Sequence, residues 1–304
     1  MDDFEGLLDK LARIPAEARV FDTTASAARR RYGISPDVLG SLSDHGFPVS
    51  YEDGQARYEE SDLVNLSLQL KRGSIYRTLT RYWPRALAKL DDAERVGYQL
   101  GYVAECPGDG QGTCCFRLLT PDRGYVDLRR TPQDSGRLYS TEIFLPSVWP
   151  ELPRTACALV ESVGDLELFW LPQALRTDVD FMRHSCLANC RGVSQILLAE
   201  GAKRGIPVRL AWGLLMPPPF AMTHQWAEID VDGQPIPIDP LVINAMLRWN
   251  VLDARRWTPG RSLGGVLCRL SPDPVSVVTH NRRHVTASFP VRHLDRLKGP
   301  QSAA

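Results

Sequence analysis

The stretch from Asn189 to Pro240 constrains the fold most, because it encodes consecutive elements together with their punctuation. Asn189 is a good N-cap, and CRGVSQILLAEGAK after it carries apolar residues at helical spacing. Gly205 is a natural helix stop, and Ile206-Pro207 leads into a strand, VRLAWG. The segment HQWAEIDVDGQPIPIDP then predicts a hairpin turning at Asp232-Gly233. A two-residue turn there sets Ala227, Ile229 and Val231 opposite Ile238, Ile236 and Gln234, giving one apolar face. His224, Trp226 and Glu228 share the other face with Asp239. Asp239 is then the diagonal neighbour of His224, about 7 to 8 Å away between backbone positions. Pro235 and Pro237 alternate and cannot donate ladder bonds, so their strand should be an edge or a bulge. A register slip of one residue would move Asp239 to the other face.

These positions carry a coherent chemistry. Cys190 falls in the first helical turn, where backbone N–H groups are unpaired and the dipole favours negative charge. That setting lowers a thiol pKa, and a neighbouring imidazole lowers it further. Cys190 shares a helical face with Val193 and Leu197, so it should point toward packed structure. Gly192 and Gly201 cost helix propensity, which predicts the close approach of another backbone. His224 is the candidate proton carrier, and Asp239 can orient it.

Read together, Cys190, the run Gly205-Ile206-Pro207-Val208-Arg209, the elements His224-x-Trp226-x-Glu228, the Gly233 turn and Asp239-Pro240 resemble the transglutaminase-like (papain-like thiol) superfamily. The resemblance covers about a sixth of the chain and implies an α+β fold, with an antiparallel sheet packed on the nucleophile helix. It implies a triad with Cys190 as nucleophile, His224 as base and acid, and Asp239 as orienter. Trp226 and Glu228 would shape the site, against the plainer reading of strand packing and a salt bridge. Ala188 and Asn189 stand where Gly-x commonly precedes the nucleophile, which bears on the entry groove. No cofactor or metal is implied. Gln173 and Trp170, in LFWLPQ, are candidate oxyanion donors beside the Cys190 backbone N–H.

The rest of the chain divides into an N-terminal module, 1–92, and a catalytic domain, 93–304. Residues 1 to 20 read as a short helix through Phe4, Leu7, Leu8 and Leu11, ending near Pro15. A Ser35-capped helix, a hairpin turning at Asp53-Gly54 and a second helix follow, resembling the winged-helix module of MerR or excisionase proteins through Arg57-Tyr58 and Asp62-Leu63. DNA binding does not follow from it. From Arg29 to Arg81 eight basic residues (Arg29, Arg30, Arg31, Arg57, Lys71, Arg72, Arg77, Arg81) face seven acidic ones (Asp37, Asp44, Glu52, Asp53, Glu59, Glu60, Asp62), so a packing or docking role is favoured over phosphate contact. Ile75, Leu79, Trp83 and Leu87 predict an amphipathic helix that Pro84 kinks or ends. Alternating runs between Tyr98 and Ser147 read as strands.

Lys+Arg and Asp+Glu are equal at 36 each, so no whole-chain field recruits nucleic acid or an anionic membrane. Seven scattered cysteines without zinc-type pairs predict free thiols in a reducing, cytoplasmic setting. Cys114, Cys115, Cys157 and Cys268 read as buried structural residues, and His45, His280, His284 and His293 as surface or satisfied ones. Cys186 and His184 crowd too few ligands beside Cys190 for a zinc site. Pro217-Pro218-Pro219 reads as a rigid connector more than as a groove rim. The expected function is thiol acyl transfer from a peptide, amide or thioester donor, free or carrier-bound. Amide hydrolysis by a cysteine peptidase or amidase is the close alternative, and a non-catalytic binding protein using the N-terminal module is the second class.

Overall fold

The computed structural model describes residues 2–92, 94–107, 113–131 and 136–294. In chain order these form α1 (Asp2–Ala12), β1 (Phe21–Thr24), α2 (Ala25–Tyr32), α3 (Pro36–Ser43), β2 (Ser50–Glu52), β3 (Gln55–Glu59), α4 (Glu60–Gln69), α5 (Gly73–Arg77) and α6 (Trp83–Ala88). Next come β4 (Arg95–Ala104), β5 (Cys114–Thr120), β6 (Gly124–Arg130), β7 (Gly136–Pro146), α7 (Arg154–Glu161), β8 (Glu167–Leu168), α8 (Val179–Ser185), β9 (Leu187–Ala188) and α9 (Cys190–Lys203). The chain continues through β10 (Val208–Leu215), β11 (Phe220–Val231), β12 (Gln234–Ile238), α10 (Pro240–Arg248), β13 (Leu267–Ser271), β14 (Val278–His280), β15 (Arg283–His284) and β16 (Ala287–His293). Helices accompany sheets that are antiparallel apart from the two-stranded β8-β9 pair, an α+β fold. Among the described residues no helix is long and apolar enough to cross a membrane.

Two compact units divide the chain, and each draws on separated stretches: Met1–Pro84, Cys157–Lys203 and Asp239–Gly260 in one, Arg85–Ala156, Arg204–Ile238 and Arg261–Ala304 in the other. Units defined by contacts are thus interleaved in sequence, whereas the division at residue 92 is consecutive.

In the first unit the helix–hairpin–helix signals of the N-terminal region have their expected local outcome. Ser35 caps α3 by accepting from the Val38 amide, and Asp53 and Gly54 both take positive φ to turn β2 into β3. With β1, these strands make a small sheet ordered β1-β3-β2. Leu11, Ile34, Leu39, Leu63 and Leu66 are fully buried. Asp62 is buried as well, and its carboxylate takes a 2.7 Å bond from Arg19 Nε. Arg19 also donates to the carbonyls of Ile14 and Leu11, so one guanidinium ties the end of α1 to α4. After Gly73 the single expected helix is broken into α5, a π-helical turn over Thr78–Tyr82, and α6. Pro84 lies inside α6 and does not end it. The widened turn just before it relieves the clash a proline ring makes with the carbonyl four residues back.

The second unit is built on the sheet β13-β10-β11-β16-β4-β7, with β12 also paired to β11. Ala227 lies opposite Ile238, Ile229 opposite Ile236 and Val231 opposite Gln234, the expected register. Among the described strands β12 pairs only with β11, so Pro235 and Pro237 stand at an edge where their missing N–H groups cost no ladder bond. A second sheet, β15-β14-β5-β6, belongs to the same unit. Tyr98, Leu100, Tyr102 and Phe116 fill its core, and the Tyr98 hydroxyl donates to the Gly265 carbonyl. Cys268 is buried in β13 and its thiol is pushed up to about 12 by desolvation, the inert role expected of it.

Candidate active site

The first unit positions Cys190 through a short relay of elements. Helix α8 ends at Cys186, which adopts a left-handed conformation (φ 58°) and turns the chain into β9. β9 runs parallel to β8, with Glu167 beside Leu187 and Leu168 beside Ala188. The Phe169 amide bonds to the Ala188 carbonyl and completes that clamp. The next residue, Asn189, caps α9: its Oδ1 accepts from the Gly192 amide at 2.9 Å and its Nδ2 donates to the Arg176 carbonyl. Cys190 is therefore the first residue of α9, where the sequence sets it. Gly192 is crowded for a different reason than expected. A Cβ there would meet the thioether end of the buried Met182 side chain of α8, so a side chain and not a backbone is what approaches.

Asp239 belongs to the same unit and caps α10, its Oδ1 accepting from the Val242 amide at 3.0 Å. Its carboxylate also accepts from the Cys190 thiol. The outcome corrects the expected thiol pKa. Desolvation first, and then the charge and hydrogen bond of Asp239, raise Cys190 well above the ordinary thiol value, while its own helix-terminal backbone N–H only partly opposes them. Cys190 is half-buried as a residue, yet the protein closes around its sulfur. A helix N-terminus contributes a fraction of a charge, so a buried full carboxylate in contact outweighs it.

The second unit positions the imidazole. His224 lies on β11 opposite Gly213 of β10, is buried, and stacks with Trp226 at 6.3 Å and 16° between ring planes. A Cβ at Gly213 would meet the Cys268 carbonyl at 2.0 Å, and the β10–β13 register shifts at the same point. Only glycine lets those backbones meet beside the His224 strand position. Trp226 is fully buried, and its indole Nε1 has no hydrogen-bond partner among the described residues. Glu228 is buried between two arginines, Arg209 Nε at 2.7 Å and Arg269 at 3.7 Å, which favours the salt-bridge reading of this residue. Asp239 directly follows Ile238, the partner of Ala227 and the last residue of β12.

Other candidates fare differently. Gln173 is exposed in a short 3-10 turn, Gln173–Leu175. Trp170 is gripped through its backbone by Asn65, which accepts from its N–H and donates to its carbonyl. Cys186 is exposed, and the His184 ring contacts the Asp180 carbonyl. Two expectations about the remaining cysteines are overturned. Cys106 and Cys114 are joined as a disulfide, so these two are not free thiols, while Cys115 is exposed and Cys157 half-buried. His280 is buried and faces Cys106, the satisfied setting of the two expected for it. Sequence reading also missed Gln225, a buried carboxamide with neither its oxygen nor its nitrogen partnered among the described residues. Its alternation with His224 and Trp226 was visible, but an unsatisfied polar group is a property of packing.

No family model matches the chain, and no curated protein matches it. A solved structure described as “a Putative Cysteine Protease from Cytophaga hutchinsonii” aligns over 66% of this chain and 90% of its own, at 11% identity and a TM-score of 0.33.

Proposed function

We propose that the protein is a cysteine-dependent acyl-transfer enzyme in which Cys190, His224 and Asp239 act as a triad. The observation that supports this reading is Asp239: the buried carboxylate that caps α10 also holds the helix-terminal thiol of Cys190. A purely structural carboxylate at an N-cap needs no such neighbour.

With its pKa raised, Cys190 is a protonated thiol at rest, so its proton leaves during attack on the acyl carbon. His224 accepts that proton and later returns it to the leaving group, and Asp239 stabilises the imidazolium formed between the two steps. The Cys190 backbone N–H, at the start of α9, is the candidate donor to the oxyanion. The acyl-enzyme then passes to an amine or to water. The donor is a peptide, amide or thioester.

The test is intact-mass analysis after mixing the protein with a peptide thioester, in the presence and absence of a primary amine. An acyl adduct that maps to Cys190, disappears in Cys190→Ala and fails to turn over in His224→Ala supports the reading. The ratio of amide to acid product separates transfer from hydrolysis. Absence of any adduct across peptide thioesters and activated amides, in a protein whose Cys190 alkylates, would sink it.

A further inference from the structure

The sheet β15-β14-β5-β6 and the end of β4 bring together ligating groups for which the site around Cys190 has no use. Cys106 follows β4, Cys114 opens β5 and His280 closes β14, where its register sets it opposite Phe116. The Phe116 ring packs edge-on against the imidazole at 4.9 Å and 61°, which holds the ring in one orientation. His280 Nε2 lies 3.4 Å from Cys106 Sγ. One ligand atom from each of the three residues lies within 4.8 Å of the other two. Cys114 and His280 are buried and Cys106 is half-buried. Cys115, next along β5, alternates to the exposed side and adds nothing to the set.

Two thiolates and an imidazole are a donor set that suits zinc. With Zn–S near 2.3 Å and Zn–N near 2.0 to 2.1 Å, neighbouring sulfur and nitrogen ligands of a tetrahedral site are roughly 3.5 Å apart. The Cys106–His280 separation fits that edge. We propose that Cys106, Cys114 and His280 form a zinc site in the reduced protein, mutually exclusive with the Cys106–Cys114 disulfide. Opening the disulfide takes two electrons and two protons from a dithiol reductant, which leaves as its own disulfide. Zinc then displaces the two thiol protons to solvent and binds both thiolates and neutral His280 Nε2, with water in the fourth position. Oxidation by a low-molecular-weight disulfide reforms the Cys106–Cys114 bond, and the metal is released because a disulfide sulfur carries no thiolate charge.

Cobalt titration of the full-length, chelator-treated, reduced protein tests this through the thiolate-to-cobalt charge-transfer band. The band is expected in the wild type and in Cys190→Ser, to be abolished by added zinc, and to be absent from the oxidised wild type. Cys106→Ser and His280→Ala should weaken cobalt binding by more than about tenfold. Should either variant fail to fold, the wild type alone still decides: zinc must slow alkylation of Cys106 in reduced protein, followed by peptide mass spectrometry. No band in reduced wild type, no protection of Cys106, or a band that survives Cys106→Ser and vanishes in Cys190→Ser would overturn the proposal.

Discussion

Asp239 holds the thiol of Cys190 and the amide of Val242 at once, so burial first, and then the same carboxylate that starts α10, keep the cysteine protonated. A thiol that the helix terminus alone would activate is held in reserve by desolvation and by its neighbour. Asp239→Asn separates the two functions, because asparagine caps a helix about as well as aspartate but carries no charge. The variant should fold, and its Cys190 should alkylate faster at neutral pH, since the charge and hydrogen bond that add to desolvation in raising the thiol are gone. A pH profile of iodoacetamide labelling by mass spectrometry checks this. If labelling of an accessible Cys190 is unchanged, the carboxylate does not control the thiol.

Glu228 should behave as a brace. It is buried against Arg209 and Arg269, so Glu228→Ala leaves a desolvated gap and two half-exposed arginines without their partner. The expected loss is on the order of 1 to 3 kcal/mol in urea unfolding, with the Cys190 labelling profile unaltered. A change in that profile at unchanged stability would instead make Glu228 part of the chemistry.

The Arg19–Asp62 pair offers a sharper stability test because both side chains are withdrawn from solvent. Desolvation raises the Asp62 carboxyl to about 6 even against the attraction of Arg19. Arg19→Ala removes that attraction and three hydrogen bonds together, and should cost about 3 to 5 kcal/mol. Adding Asp62→Asn should recover part of the loss, because the charge left behind is then gone. Equal unfolding midpoints for the single and double variants would contradict this.

His293 predicts a feature of the acid limb. It packs on Tyr98 at 5.1 Å, and burial, with a smaller contribution from Lys89, lowers it to about 4. An unfolded histidine titrates near 6.5, so between these values the unfolded chain binds more protons than the native one. Its contribution is therefore complete above about 6.5 and is lost as pH falls through about 4. Unfolding free energies measured across that range should fall less steeply in His293→Gln than in the wild type.

Local signals were read well where neighbours in sequence decide the outcome. The Ser35 and Asn189 caps, the turns at Asp53-Gly54 and Asp232-Gly233 and the register that pairs Ala227 with Ile238 depend on a few adjacent residues and on strand periodicity. Pro84 was expected to kink or end its helix; α6 runs through it, and the π-helical turn before it is a local form that no residue preference announces. Gly192 was rightly singled out, but the occupant of its space, Met182, comes from another helix.

By itself, then, the sequence determined the helix that begins at Cys190, the hairpin that carries His224, and the register that pairs Ala227 with Ile238. Only the tertiary structure decided the electrostatic state of the thiol and the company of Cys106, Cys114 and His280. Caps, turns and alternation act over a few residues and are written in order along the chain. Desolvation and charge–charge contact act through space between residues the sequence keeps far apart, and they appear only once the chain is folded.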